Sequence, residues 1–178
     1  MNSHSERGHS GVLGTLPSLS EFDAAIDDYA SCDEQTFCCP EPKPGVLAFQ
    51  EMVLTAYPMT SGGGIRRPCA SGPRSEHKEG RAWDWRVSAA DHPEVADELL
   101  DWLLAPDEQG NQHAAARRWG VMYMIWDHRI WGAYAADEGW RPYRGPDPHV
   151  DHVHFSFSWD GALCRTSWWS SLGWARSA

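Results

Sequence analysis

Two short motifs lie far apart in this sequence but carry complementary side chains. The first motif is Ser75-x-His77-x-x-Gly80-x-Ala82-x-Asp84, and the second, nearer the C-terminal end, is Asp151-His152-Val153-His154. Two histidine nitrogens and one carboxylate oxygen form the ligand set with which catalytic zinc keeps one coordination position open for water or substrate. A fold that uses both motifs must bring these two segments together. The pattern therefore predicts a metallohydrolase.

The residues around the first motif predict that one of its ligands lies on a strand. The segment 81–87 is rich in aromatic and β-branched residues, and Gly80 marks a turn directly before it. Asp84 is therefore predicted to lie on a strand, and His77 on the loop that precedes it. Any one of the nine histidines taken alone would more often be a surface or core residue, so the joint spacing carries the prediction.

The second motif predicts another strand, whose histidines face one pocket. Residues 152–158 alternate in a strand-like way, and side chains two positions apart on a strand point to the same side. His152 and His154 are therefore expected to face the same pocket. With His154 on the metal beside His77 and Asp84, His152 stands one strand step away, where a general base or a hydrogen-bond donor is needed.

Longer stretches around both motifs carry a family resemblance. They are the runs 75–85 and 148–154 and the pairs Ile125-Trp126, Ile130-Trp131 and Gly139-Trp140. Over residues 43–160 the chain resembles the zinc D-Ala-D-Ala carboxypeptidase and Hedgehog-like superfamily, and most closely its secreted actinobacterial branch. The resemblance implies an α+β fold with helices packed on a small, mainly antiparallel sheet. It also implies His77, Asp84 and His154 as the ligands of one zinc ion, with a peptidoglycan peptide as the substrate.

His152 occupies a position at which the resembled enzymes differ from one another. The D,D-carboxypeptidases carry a glutamate base there, and the murein endopeptidases carry a histidine. A neutral histidine can accept a proton, whereas one beside a dication can instead donate a hydrogen bond to a developing oxyanion, so both roles stay open. Strand alternation predicts that Asp151 points away from His152 and either supports a ligand or caps the start of the strand. His149 is a further candidate for supporting the site.

The resemblance also suggests two residues that contact substrate. An arginine before the first ligand is expected to hold a substrate carboxylate, and Arg67 occupies that place. The planar guanidinium binds a carboxylate through two parallel hydrogen bonds, although an ordinary surface charge is the alternative for this residue. Ser75 is expected either to orient the loop of His77 or to touch the substrate.

Composition excludes several classes of function. A chain of 178 residues with 42% hydrophobic content is predicted to form one domain, with residues 1–40 as a polar tail or linker and 41–178 as the zinc peptidase-like domain. The formal net charge of -10 and the absence of a Lys/Arg run argue against nucleic-acid binding. No apolar stretch approaches the roughly 20 residues of a membrane span. We expect a monomer without a membrane span.

The five cysteines favour disulfides, because they form neither a CxxC zinc pair nor a nucleophile beside a histidine motif. The resemblance pairs Cys38 with Cys69. A second bond between Cys32 and Cys39, which would leave Cys164 unpaired, stays open. Residues 1–14 are polar and lack the apolar core of a signal peptide. We nevertheless expect an extracellular or cell-wall protein that leaves by another route or from a longer chain.

The spacing of apolar residues and the positions of Gly and Pro predict the remaining helices and strands. Helices are expected at 20–29, from Pro44 onward, at 93–104 and at 112–119, and strands at 121–126 and 129–131. Most of the eleven tryptophans are expected in the core, although those near the motifs could also line a groove.

Three functions compete at this point. The first is a zinc amidase or peptidase that acts on cell-wall peptides. The second is a cell-wall module of the same fold that binds zinc without turnover. The third is an iron oxygenase with two histidines and one carboxylate. Such oxygenases usually separate His and Asp by a single residue within a barrel of strands, whereas six residues separate His77 from Asp84, so the zinc hydrolase is the preferred interpretation.

Overall fold

The computed structural model describes residues 15–171, in which helices pack against one antiparallel sheet. The strands are β1 (Ser61–Gly62), β2 (Ala82–Arg86), β3 (Val121–Trp126), β4 (Arg129–Gly132), β5 (Arg141–Pro142) and β6 (His152–Phe157). Their order across the sheet is β1-β2-β6-β3-β4-β5, and all neighbouring pairs are antiparallel. The predicted α+β class is therefore confirmed. The two strands that carry the sequence motifs, β2 and β6, are neighbours in the middle of the sheet.

The helices begin and end close to where the sequence predicts them, with one exception. They are α1 (Pro44–Ala56), α2 (Pro93–Leu104), α3 (Ala114–Trp119), α4 (Trp159–Ala162) and α5 (Ser167–Ser171), with 3₁₀ helices at Glu76–Glu79 and Ala133–Glu138. Proline at the first turn of α1 and α2 presets the helical φ where no hydrogen-bond donor is needed. The helix predicted at 20–29 is wrong, since that stretch contains only a turn. Among the described helices, none has the length and apolarity to cross a membrane.

An aromatic cluster joins α1 to the sheet. The Phe49 side chain is fully buried and contacts four rings edge-on, with centroid separations of 5.1 to 6.1 Å, namely Trp83, Trp119, Phe155 and Phe157. Edge-to-face pairs of this kind add to the free energy gained from burying apolar area. The cluster fixes the back of β2 and β6, so the opposite face of these strands is held rigidly for the site.

Most tryptophans near the motifs belong to the core. Trp83, Trp85, Trp126 and Trp131 are each at most 1% exposed, and Trp140 is half-buried. The preference for core packing over a groove lining is thus confirmed for the first four.

Residues 15–40 form few regular elements, yet they pack on the domain. Phe22 is buried, and its ring lies tilted against that of Trp168 in α5, with a centroid separation of 4.9 Å. Arg118, whose side chain is fully buried, donates hydrogen bonds to the carbonyl oxygens of Asp23 at 2.7 Å and Ala25 at 3.1 Å. These two contacts hold the stretch against the domain without a helix or strand of its own.

One disulfide connects this N-terminal stretch to the loop before the first 3₁₀ helix. It joins Cys38 to Cys69, which confirms the pairing implied by the resemblance. Cys32, Cys39 and Cys164 are free thiols, so the second bond considered from the sequence is not present.

Removal of this disulfide is expected to lower the free energy of unfolding by about 3 to 4 kcal/mol, because a bond across a loop of this length restricts the unfolded chain. The two cysteines are 31 residues apart. Urea denaturation of the double variant Cys38→Ser/Cys69→Ser measures the effect. Cys39→Ser is the matched control, since it removes a neighbouring exposed thiol and should leave the denaturation midpoint unchanged. Equal midpoints for the double variant and the control would contradict this prediction.

Candidate metal centre

The sheet register brings the two sequence motifs face to face. Asp84 of β2 lies directly opposite His154 of β6. Side chains opposite each other on neighbouring strands lie close enough to interact. One carboxylate and one imidazole of the predicted ligand set are therefore adjacent as a direct result of strand pairing.

The third predicted ligand, His77, lies on the short 3₁₀ helix Glu76–Glu79. This helix ends at Gly80, which has a positive φ of 65°. A Cβ atom at this position would lie 2.0 Å from the carbonyl oxygen of Glu41. Only glycine fits both the left-handed backbone and this close approach. The turn therefore fixes the 3₁₀ helix against the neighbouring chain, with His77 directed at the strands.

The donor atoms of these three side chains form a compact triangle. His77 Nε2 lies 3.2 Å from Asp84 Oδ1 and 3.3 Å from His154 Nδ1, and His154 Nδ1 lies 3.0 Å from Asp84 Oδ1. Tetrahedral zinc with bonds of about 2.0–2.1 Å to nitrogen and oxygen holds its ligand atoms roughly 3.3 Å apart. The triangle thus has nearly the size that a single zinc ion requires.

The outer nitrogens of the two imidazoles show which ring atoms have lone pairs toward the triangle. His77 Nδ1 lies 3.0 Å from the carbonyl oxygen of Ile65, which can only accept, so Nδ1 carries the proton. His154 Nε2 lies 3.3 Å from Ser156 Oγ, whose own proton is directed to Glu76. Nε2 of His154 is therefore the donor. Both inward nitrogens then present lone pairs when the rings are neutral.

The charge states of the triangle also suit a cation. Burial lowers the pKa of His154, so its ring is neutral near neutral pH. Burial alone would raise the pKa of Asp84, but the contacts with His154 and His77 outweigh it and hold this pKa well below its ordinary range. Asp84 is therefore an anion that the two imidazoles stabilise. A metal cation that takes up the imidazole lone pairs in place of protons would be stabilised by the same anion, so the residues present fit a metal ion.

His152 lies beside the triangle and is held by Asp151. Its Nε2 is 3.9 Å from Asp84 Oδ1, and its Nδ1 is 2.7 Å from Asp151 Oδ1. The prediction that Asp151 points away from His152 is therefore wrong. β6 begins only at His152, so Asp151 precedes the strand and strand alternation does not govern its side chain. With its Nδ1 proton donated to Asp151, a neutral His152 keeps the Nε2 lone pair available near the triangle.

His149 lies against the same histidines from the loop before β6. It is 7% exposed, and its ring centroid is 4.6 Å from that of His152 and 5.8 Å from that of His154. Asp147, His149 and His152 form a second group whose donor atoms lie close enough to hold a metal ion. Asp147 is exposed, whereas two members of the first triangle are buried. The structure therefore offers two candidate metal groups that border each other.

The two residues expected to contact substrate lie on the chain that surrounds His77. The backbone amide of Arg67 donates to the carbonyl oxygen of His77 at 3.2 Å. Within residues 15–170, the Arg67 guanidinium makes no hydrogen bond or ion pair, whereas that of Arg66 is paired with Glu41. Ser75 directly precedes the 3₁₀ helix, and its hydroxyl does not cap that helix.

Three polar residues behind the triangle were not singled out from the sequence. They are Glu76, Tyr123 and Ser156, which hydrogen-bond with one another. Two signals were available: Glu76 is adjacent to His77, and Ser156 lies two positions after His154 on the same face of β6.

Fold and site together define an α+β domain in which two central strands and a neighbouring 3₁₀ helix carry a two-histidine, one-carboxylate group able to hold a metal ion. Residues 38–154 match the family described as the VldE C-terminal domain, and the chain belongs to this family. The matched segment begins at the disulfide cysteine Cys38 and ends at His154, so it contains the whole triangle. Searches of curated proteins and of solved structures gave no match.

Proposed function

We propose that this protein is a zinc-dependent hydrolase of amide bonds in peptidoglycan peptides, within the zinc D-Ala-D-Ala carboxypeptidase and Hedgehog-like superfamily. The observation that carries the proposal is the triangle of nitrogen and oxygen donor atoms on His77, Asp84 and His154, with separations of 3.0 to 3.3 Å. Three protein ligands leave one position of tetrahedral zinc open, which is typical of catalytic sites. The motif resemblance supports the choice of a wall peptide as substrate.

The chemistry supplied by a zinc ion held there is polarisation of the scissile carbonyl and acidification of a water molecule. His77 and His154 bind through the inward nitrogens because their outer nitrogens donate to the Ile65 carbonyl and to Ser156. Asp84 contributes the anionic ligand. These assignments need no rearrangement of the side chains, so the site is preorganised.

His152 accepts the proton of the attacking water in this proposal. Its Nε2 lies on the triangle side of the ring, 3.9 Å from Asp84 Oδ1, so a water molecule beside the triangle could lie within hydrogen-bond reach of both atoms. Asp151 holds Nδ1 protonated and stabilises the imidazolium that forms. The proton then passes from Nε2 to the leaving amine. The alternative of a hydrogen-bond donor to the oxyanion requires His152 to be protonated at the start.

Arg67 is the candidate for binding the terminal carboxylate of the peptide. Its guanidinium is unpaired among the described residues, and its backbone is fixed against His77. A guanidinium without a partner on a chain segment that contacts His77 suits bidentate recognition of a carboxylate. Such a contact favours substrates that are cut near a free C-terminus.

We also propose that the protein works outside the cell or in the cell wall. The Cys38–Cys69 bond supports this location, because structural disulfides form and persist mainly in oxidising compartments.

The test is peptide hydrolysis by the full chain loaded with one equivalent of zinc. Peptidoglycan fragments, both linear ones ending in D-Ala-D-Ala and cross-linked ones, are incubated with the protein, and the products are identified by mass spectrometry. The expected result is amide cleavage that is lost after chelation and restored by added zinc. A protein that retains zinc but cleaves none of these peptides would instead be a zinc-binding module without turnover.

A further inference from the structure

A buried carboxylate that takes no part in the proposed reaction lies behind the metal site. Glu76 is 8% exposed and directly precedes His77 in the chain. A buried carboxylate is costly unless hydrogen bonds and nearby positive charge compensate its lost solvation. The hydrogen bonds that stabilise the buried Glu76 carboxylate therefore indicate its role.

Both hydroxyl groups that contact Glu76 belong to residues beside His154. The Tyr123 hydroxyl donates to Oε2 at 2.6 Å, and the Ser156 hydroxyl donates to the same oxygen at 3.3 Å. The Tyr123 ring also stacks on the His154 ring, with a centroid separation of 5.4 Å. Glu76 is thus linked to a predicted zinc ligand by one polar and one stacking route.

The polar route runs from His154 through Ser156 to Glu76 when the Ser156 hydroxyl donates to the carboxylate. A carboxylate can only accept, so Ser156 gives its single proton to Glu76. The oxygen of Ser156 can then only accept from His154 Nε2, which lies 3.3 Å away. This places a proton on His154 Nε2, so Nδ1, which faces Asp84 and His77, is the ring nitrogen left to bind a metal ion.

The charge of Glu76 also complements the metal site. A zinc ion brings two positive charges, and Asp84 is the only anionic member of the triangle. One positive charge therefore remains in a largely buried site, where electrostatic interactions are weakly screened. The carboxylate of Glu76, two hydrogen bonds away from His154, offsets it.

We propose that Glu76 is a positioning residue for zinc: through Ser156 it fixes the tautomer in which His154 presents Nδ1 to the metal, and its charge balances the site. This inference rests on the zinc site of the proposed function. Outer hydrogen-bond partners of metal ligands commonly change metal affinity when they are replaced.

The test compares the zinc affinity of purified variants by competition with a chromogenic chelator. Glu76→Gln keeps the side-chain size but removes the charge, and its zinc affinity is expected to fall about 10- to 100-fold. Ser156→Ala breaks the polar route, so the double variant should lose less affinity than the two single losses combined. Asp107→Asn is the matched control, because it neutralises another buried carboxylate, bonded to Arg118, and should bind zinc like the wild type.

The protonation of the His154 ring can also be measured in the wild type, which serves if Glu76→Gln does not fold. Nitrogen-15 NMR of the metal-free wild type should find the His154 proton on Nε2. A His154 ring with no proton on Nε2, or a folded Glu76→Gln variant that binds zinc within about twofold of the wild type, would overturn the inference while leaving the zinc site intact. A wild type that binds no zinc would overturn the proposed function itself.

Discussion

Replacement of His154 by alanine is expected to lower zinc affinity about a thousand-fold. Zinc bound by a full protein ligand set gains about 10–16 kcal/mol, so loss of one of three ligands removes on the order of 4 kcal/mol. His154 is 7% exposed, and its Nδ1 lies within 3.3 Å of both other donors. Isothermal titration or chelator competition measures the affinity, and circular dichroism verifies that the variant is folded.

His149→Ala is the control for this experiment. His149 is as buried as His154 and belongs to the second candidate metal group rather than the first. It should therefore retain zinc binding close to that of the wild type. The reverse result, with zinc lost in His149→Ala and kept in His154→Ala, would move the metal to the group of Asp147, His149 and His152.

Replacement of His152 by alanine is expected to reduce kcat for peptide cleavage by about 10²- to 10⁴-fold, the usual contribution of a positioned acid or base. Zinc content should stay at one ion per chain, because His152 is not part of the triangle. Paired measurements of turnover and bound zinc in the same preparation separate these two effects.

The exposed His128 provides the matched control, since it lies in the turn between β3 and β4. His128→Ala should retain both zinc and turnover. Asp151→Asn should reduce kcat by less than His152→Ala, because it weakens the orientation of the ring but keeps the base. Turnover by His152→Ala that equals the wild type would assign proton transfer to another group.

The sequence was sufficient to predict that His77, Asp84 and His154 form one candidate metal group, because its signals are local. The alternation of 152–158 placed His154 on a strand, and Gly80 with the aromatic run after it placed Asp84 on another. Pairing these two strands then puts both ligands opposite each other. The disulfide was also foreseen, although only through the resemblance and not through any property of the cysteines themselves.

The hydrogen bonds of Glu76, by contrast, could not be predicted from local sequence patterns. Tyr123 and Ser156 are 47 and 80 residues away from it in the chain, and no local pattern specifies such pairing. Asp151 was misjudged because one position decides whether a residue belongs to a strand, and element boundaries are the least predictable feature of a sequence. The N-terminal stretch has a polar composition, but Phe22 and the carbonyls bound by Arg118 attach it to the domain.

The most direct test of the proposed zinc site is a crystal structure of the zinc-loaded protein with anomalous data collected on both sides of the zinc edge. We expect one anomalous peak about 2.0–2.2 Å from His77 Nε2, Asp84 Oδ1 and His154 Nδ1. A fourth position should be open toward His152. A peak on Asp147, His149 and His152 instead, or no peak in protein crystallised with zinc, would contradict a zinc site on His77, Asp84 and His154.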